Sequence, residues 1–278
     1  MTFLIIMKKI ALLLAGISYC EEYRHASCPD NIIKIMIDYR KSMENYKEYI
    51  FKYFKDYEVD IFICSNPSIL SKQLIDDYKP KKFCFIGDND IQHSNMRRKG
   101  WVNNPRNKLD HGIIDNITDL PANPIGNIST FEYFHEIDNN NPLFQTKLIW
   151  GPASRLQRNT KIQKVIELCM EHGNTYDNVI VTRFDLLFKK DFDTCPIDLS
   201  KINIVTQMED SHSLCDNFYI LPFNQIEQFY NVISKNILGS HHTIRDDIEK
   251  INKINFICNE NTGSSNSSFY SINRLPLT

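Results

Sequence analysis

The stretch Tyr176-Asp177-Asn178-Val179-Ile180-Val181-Thr182-Arg183-Phe184-Asp185-Leu186-Leu187-Phe188 decides how the chain is read. It follows a turn-prone, helix-ending segment, Glu171-His172-Gly173-Asn174. Val179 to Val181 is a short apolar run of β-branched residues, which predicts a buried strand. Arg183 and Asp185 stand two residues apart at its end. Strand alternation puts both on one face if the strand continues through them. In open α/β sheets, ligands bind just beyond the carboxyl ends of the strands, so a charged pair there is a candidate site.

Working back from that stretch, the first half of the chain alternates. Ile10 to Leu14 predicts a first strand, followed by the turn Ala15-Gly16-Ile17-Ser18 and a loop to Pro29. Gly16 allows either a tight turn or close approach of backbone to a ligand. Asp30 is a candidate cap for a long helix from about 31 to 55, with Ile32, Ile35, Met36, Tyr39, Met43, Tyr46 and Ile50 at helical spacing. Val59 to Cys64 predicts a second strand, closed by Ser65-Asn66-Pro67, where Asn66 either shapes the turn or touches a nucleotide. A short helix to about Tyr78 and a strand from Lys82 to Ile86 complete a β-α-β-α-β run, the signature of a parallel sheet.

From 87 to 127 the periodicity fails, and a loop of that length is usually functional or mobile. It carries Asp88-Asn89-Asp90, readable as a turn or a metal-binding triplet, and the basic patch Met96-Arg97-Arg98-Lys99-Gly100-Trp101. Phe131 to Ile137 is a further short element. A long helix is expected over about 145 to 171, interrupted near Gly151-Pro152, with Arg155, Gln157, Arg158 and Lys161 forming a polar, basic face. After the opening stretch come strands at Ile202 to Thr206, Leu214 to Leu221 and Ile254 to Cys258, and helices at about 225 to 237 and 243 to 252. Between them lie Glu209-Asp210-Ser211-His212 and His241-His242, groups able to bind or transfer protons.

The 278 residues suit one large α/β domain or two small ones, and 42% hydrophobic with 12% aromatic residues supply a core. No linker or repeat divides the chain, so 1–258 reads as one domain and 259–278 as a polar tail, expected to be loose. A net charge of −2 gives no basic surplus for nucleic acid. The eight cysteines form no CxxC pair, and Cys64, Cys84 and Cys169 sit in apolar runs, so they read as reduced core residues. Met1 to Ala15 is apolar, but Lys8-Lys9 interrupts it. A buried first strand is preferred to a signal peptide, which predicts a cytoplasmic protein without a transmembrane segment.

The order of elements around the opening stretch resembles a GT-A-fold glycosyltransferase: strand, long helix, a strand ending in a charged motif, then mixed strands and late helices. Tyr176-Asp177-Asn178-Val179-Ile180 followed by Arg183-Phe184-Asp185 is similar to a divergent group of glycosyltransferases from large DNA viruses, algae and bacteria. Leu12-Leu13-Leu14-Ala15-Gly16 with Arg24, and Asp216-Asn217-Phe218-Tyr219, are similar to segments of the same group. The resemblance implies a GT-A-like mixed, mostly parallel sheet flanked by helices. It also implies a nucleotide-sugar donor (UDP- or GDP-linked) and a glycan, protein or lipid acceptor, with Gly16, Arg24, Asn66, Arg183 and Asp185 near the donor.

In that family the last aspartate of a DxD motif binds a divalent metal such as Mn2+ or Mg2+. Here Asp185 matches it and Arg183 replaces the first aspartate. One carboxylate makes a poor metal site, so Asp216 with His241 or His242 are the expected further ligands; alternatively Arg183 contacts phosphate directly. Asp191-Phe192-Asp193 is a second DxD, in a stretch that reads as a surface loop. An inverting transfer also requires a carboxylate base, for which Asp216 stands first, ahead of Glu209 and Asp210. A degenerate GT-A-like binding domain is the non-enzymatic alternative. A nucleotidyltransferase is disfavoured because Gly16 stands alone, and a Rossmann dehydrogenase because no GxGxxG follows the first strand.

Overall fold

The computed structural model describes residues 7–25, 33–66, 68–86, 147–149, 152–208, 213–236, 241, 244–258, 260, 267–273 and 275–276; for 21–25, 33–35, 147–149, 152–157 and 275–276 it describes the backbone alone. Asp88-Asn89-Asp90, the basic patch at 96–101, the element expected at 131–137, and Glu209, Asp210 and His242 lie outside the described residues.

The chain is α/β, built on a seven-stranded, mostly parallel sheet flanked by helices. Its centre is β1 (Lys8–Gly16), with Ile10 to Ala15 fully buried. An apolar run covered on both faces is what a central parallel strand requires. Each of Leu12, Leu13 and Leu14 contributes roughly 1.5–3 kcal/mol by burial. On one side β1 pairs in parallel with β4 (Tyr57–Ser65), which pairs in parallel with β5 (Lys82–Phe85). On the other it pairs in parallel with β7 (Asn178–Thr182). Beyond β7 lies β10 (Phe218–Pro222), antiparallel to both β7 and β9 (Ile202–Ile204), and β11 (Ile254–Phe256) runs parallel to β9 at the edge. The order is thus β11-β9-β10-β7-β1-β4-β5, with β10 alone reversed.

That order creates a switch point. From β1 the chain first moves outward through β4 and β5, then returns to the opposite side of β1 with β7. Leu14 is level with Thr182, so Gly16 and the Arg183–Asp185 segment leave the sheet side by side. The crevice outside such a reversal is where doubly wound sheets take ligands.

The helix expected over 31–55 is corrected. Residues Ile33–Asp38 form a strand, β3, antiparallel to β2 (Tyr19–His25), and α1 starts only at Tyr39 (Tyr39–Tyr46), continuing through a π-helical turn at Lys47–Phe51. Asp38 caps it, accepting a hydrogen bond from the Arg40 amide, so the cap is eight residues later than Asp30. Ile32, Ile35, Met36 and Tyr39 keep a helical spacing over the same stretch in which Ile33, Ile35 and Ile37 alternate with a period of two, and pairing with β2 decides between the two readings. The Tyr39 amide donates to the Ser18 carbonyl at 2.9 Å, so the hairpin leaves and rejoins the chain at one point beyond β1. It forms a second sheet, β13-β3-β2-β6, with β6 (Lys147–Ile149) and β13 (Leu275–Pro276).

The long helix also begins later than expected. Lys147–Ile149 is strand, and α3 covers Pro152–Met170, lying against β1, β4 and β5. Ile162, Val165, Ile166 and Cys169 form its buried stripe. Gly173, at φ +80, ends the helical segment in a conformation that favours glycine. α2 (Ser71–Tyr78), α4 (Ile226–Lys235) and α5 (Arg245–Glu249) follow their expected positions with shorter ends.

The tail expected to be loose is ordered over 267–273 and 275–276. β12 (Tyr270–Ile272) pairs with β8 (Leu186–Phe188), and β13 pairs with β3. Cys64, Cys84, Cys169, Cys215 and Cys258 are buried and unbridged. Among the described residues no helix is long and apolar enough to cross a membrane.

Candidate functional site

β7 ends at Thr182, one residue before the charged motif, so Arg183 and Asp185 do not share a strand face. A bend at Phe184–Asp185 brings them together instead. The Phe184 ring is buried, which fixes that bend in the core. The Arg183 guanidinium grips the Asp185 carboxylate in a fork: Nε donates to Oδ1 and Nη2 to Oδ2, both at 2.6 Å. The Tyr46 hydroxyl donates to the Arg183 carbonyl, and burial together with the Asp185 charge raises its pKa, keeping it a donor.

Because β10 runs antiparallel, its beginning meets the end of β7: Phe218 lies level with Thr182. Asp216 and Asn217 therefore reach the same edge. Asn217 accepts from Arg183 Nη1 at 3.1 Å and donates to the Tyr270 hydroxyl at 2.8 Å. Asp216 accepts from Arg158, with Oδ2 at 2.8 Å from Nη1, and its carbonyl accepts from Nη2 at 2.6 Å. Arg158 comes from α3, whose buried stripe continues toward the helix start through Lys161 and Arg158. The side of the helix that is apolar over the sheet is cationic over its carboxyl edge.

The two ion pairs have the same polarity. The Asp185 side chain is 3% exposed and its Arg183 partner 20%; the Asp216 side chain is 3% exposed and Arg158 25%. In each, the carboxylate is buried and the arginine side chain is partly exposed. Gly16 completes the edge. Its φ of +125 suits glycine, and a Cβ there would meet no atom of the described residues within 4 Å. Ser18 and Ser65 join the ends of β1 and β4 through a 2.8 Å hydroxyl contact, and buried Asn66 follows directly.

Gly16, Asn66, Arg183, Asp185 and Asp216 thus share the carboxyl edge of the sheet. Arg24 lies in β2, its backbone paired with Lys34 and Ile149. His241 is buried between α4 and α5, but Asp185, Asp216 and His241 form no metal-holding group; among the described residues no three His, Cys, Asp or Glu side chains do. Asp191 and Asp193 are exposed around buried Phe192, and Asp191 pairs with Lys52 at 3.3 Å. Of the expected metal set, Asp185, Asp216 and His241 are not brought together, and His242 lies outside the described residues. A divalent cation takes six or more oxygen ligands, whereas both oxygens of Asp185 are held by one guanidinium. The described residues do not fit the ion.

Asp216, the first candidate base, is paired with Arg158. Its carboxylate is buried and ion-paired, out of reach of an acceptor hydroxyl unless Arg158 leaves it. Arg158 and Tyr270 are the residues the sequence reading missed as site members. The signal for Arg158 was a cation in register with an apolar helix stripe. Tyr270 had no local signal, because the tail reaches the site only through tertiary pairing. Cys215, hydrogen-bonded to Tyr270, is not a nucleophile: burial pushes its thiol up to about 11. No protein-family model and no curated protein matches the chain.

Proposed function

We propose that the chain is a glycosyltransferase with a GT-A-like domain, moving a sugar from a nucleotide-diphosphate donor to a glycan, protein or lipid acceptor. One observation carries the reading: the motif similar to that of the family stands at the switch point between β1 and β7, beside Gly16 and two partly exposed arginines, each paired with a buried carboxylate. Breaking the bond between sugar and diphosphate builds negative charge on the leaving group. Preorganised cations at that position stabilise it as it forms. Asp185 then orients Arg183, and the donor lies at the carboxyl edge beside Gly16.

The test is a panel of UDP- and GDP-sugars, assayed for hydrolysis and for thermal shift with and without manganese. Turnover of one donor, lost in Arg183→Ala, is the expected result. Neither hydrolysis nor a thermal shift with any donor would sink the proposal. The ion pair at Asp216, which occupies the first candidate base, favours a second reading: a GT-A-like domain that binds a sugar nucleotide without turning it over. Saturable binding without hydrolysis or transfer distinguishes that reading from the first.

A further inference from the structure

We propose that Cys64 and Cys84 form a redox-sensitive thiol pair, which hydrogen peroxide converts to a disulfide that ties β5 to β4. The two residues are partners in the parallel register of these strands. In-register neighbours project from the same face of a sheet, and their strands lie about 4.8 Å apart. A disulfide spans roughly 4.4–6.8 Å between Cα atoms, so the backbone spacing suits one. The side chains already use that placement: the Cys84 thiol donates to the Cys64 sulfur at 3.1 Å. Forming the bond asks the sulfurs to close by about 1 Å. The loop so closed contains α2, and Ser65 and Asn66 follow Cys64 directly, so the link is made beside the carboxyl edge.

Contact, rather than acidity, sets this pair apart from Cys215, whose neighbour is the Tyr270 hydroxyl. Burial, and after it Cys84 itself, pushes the Cys64 thiol well up, while Lys161 and Lys164 on α3 act against this. The closed fold is therefore unreactive, and oxidation waits for an opening. β5 supplies it. The strand is four residues long and stands at the end of the described sheet, with β4 as its neighbour there. Such an element opens at lower cost than the centre of the sheet. Peroxide is small enough to enter then. In the first step one thiolate attacks the peroxide, the O–O bond breaks, and that sulfur becomes a sulfenic acid as water leaves. In the second step the other thiolate attacks the same sulfur, the S–O bond breaks, and a second water leaves as the S–S bond forms. Two electrons pass from the sulfurs to the peroxide, and the two thiol protons end in the two waters.

The experiment treats the reduced full chain with hydrogen peroxide under native conditions, then unfolds it, alkylates the remaining thiols and maps the peptides by mass spectrometry without reductant. Expected are a linked Cys64–Cys84 peptide that dithiothreitol releases, and a Tm raised by about 5 °C in the oxidised protein. Cys64→Ala and Cys84→Ala are each expected to lose both the linked peptide and the shift; the peptide map of the unaltered chain stands even if one variant does not fold. Both thiols still free after treatment overturn the proposal, and so does sulfinic acid at either residue without a link. A link that forms only in urea overturns it as well, because the fold would then keep the sulfurs from reacting. A linked protein that melts no higher than the reduced one shows that the bond is not a tie, and ends the proposal in that form.

Discussion

Arg183 and Asp185 show how unequal burial sets the cost of breaking a pair. Removing the guanidinium leaves a buried carboxylate, a loss of about 3–5 kcal/mol. Removing the carboxylate leaves a cation that still reaches solvent, so Asp185→Ala is expected to cost about 1–3 kcal/mol. Because the two residues act as a unit, Arg183→Ala/Asp185→Ala falls short of the sum by at least ~1 kcal/mol in urea unfolding; an additive cycle would refute the coupling. At Gly16 the cost has a different origin. With no neighbour among the described residues within 4 Å of a Cβ at this position, Gly16→Ala and Gly16→Ser are expected to lose stability through φ +125, about 1–3 kcal/mol each. Equal losses in the two variants identify backbone strain; a larger loss for serine would point to crowding.

At the scale of elements, the site depends on strands that form late in the sequence. β12 pairs with β8 directly after Asp185, and the Asn273 amide donates to the Asp185 carbonyl while its side chain donates to the Asp38 carbonyl at 3.4 Å. Beneath them Phe188 packs against Tyr46, Phe192, Phe218 and Phe269, with ring centroids 5.1 to 5.5 Å away. Phe269→Ala is expected to cost about 3–5 kcal/mol. A chain stopped after Cys258 loses all of Phe269's contacts and both strand pairings, and near-UV circular dichroism should report loss of fixed packing. A truncated chain with full-length stability would make the tail dispensable.

These elements also mark what the sequence could reveal. β1, β4, β5 and β7 were legible because each is a continuous apolar run that a parallel core demands. The β2–β3 hairpin was not, because the helical spacing of Ile32, Ile35, Met36 and Tyr39 overlaps the alternation of Ile33, Ile35 and Ile37, and only pairing decides between them. The motif's place at a strand end was legible from Val179 to Asp185. Its chemistry was not, since nothing local says that Arg183 turns back onto Asp185 or that Arg158 arrives from another element.

Over the whole molecule, the two edges of the sheet carry different networks. The carboxyl edge holds the arginine pairs. The opposite edge is tied by Asp60, which accepts from the Tyr176 hydroxyl at 3.0 Å and Asn174 at 3.3 Å and pairs with Lys81 at 3.2 Å. Burial opposes the Asp60 charge, but the hydrogen bonds from Lys81 and Tyr176 outweigh it and hold the carboxyl below its ordinary 3.8. A lowered folded pKa means stability that is complete above the unfolded value and lost as pH falls through it toward the folded one. Asp60→Asn is therefore expected to cost about 1–3 kcal/mol at pH 7, and the gap to the unaltered protein should close below about pH 4. Urea midpoints at pH 7, 5 and 3.5 check this; a gap that does not change with pH would refute it.

The return of Asn273 to Asp185 and Asp38 has a consequence for synthesis. A ribosome makes β1, β4 and β7 long before it reaches residue 270, so the sheet has its middle while the loop bearing Asp185 still lacks its latch. The nascent chain therefore carries the charged motif before its latch exists, and the Asp185 loop is tied down only once residues 270–273 have been made.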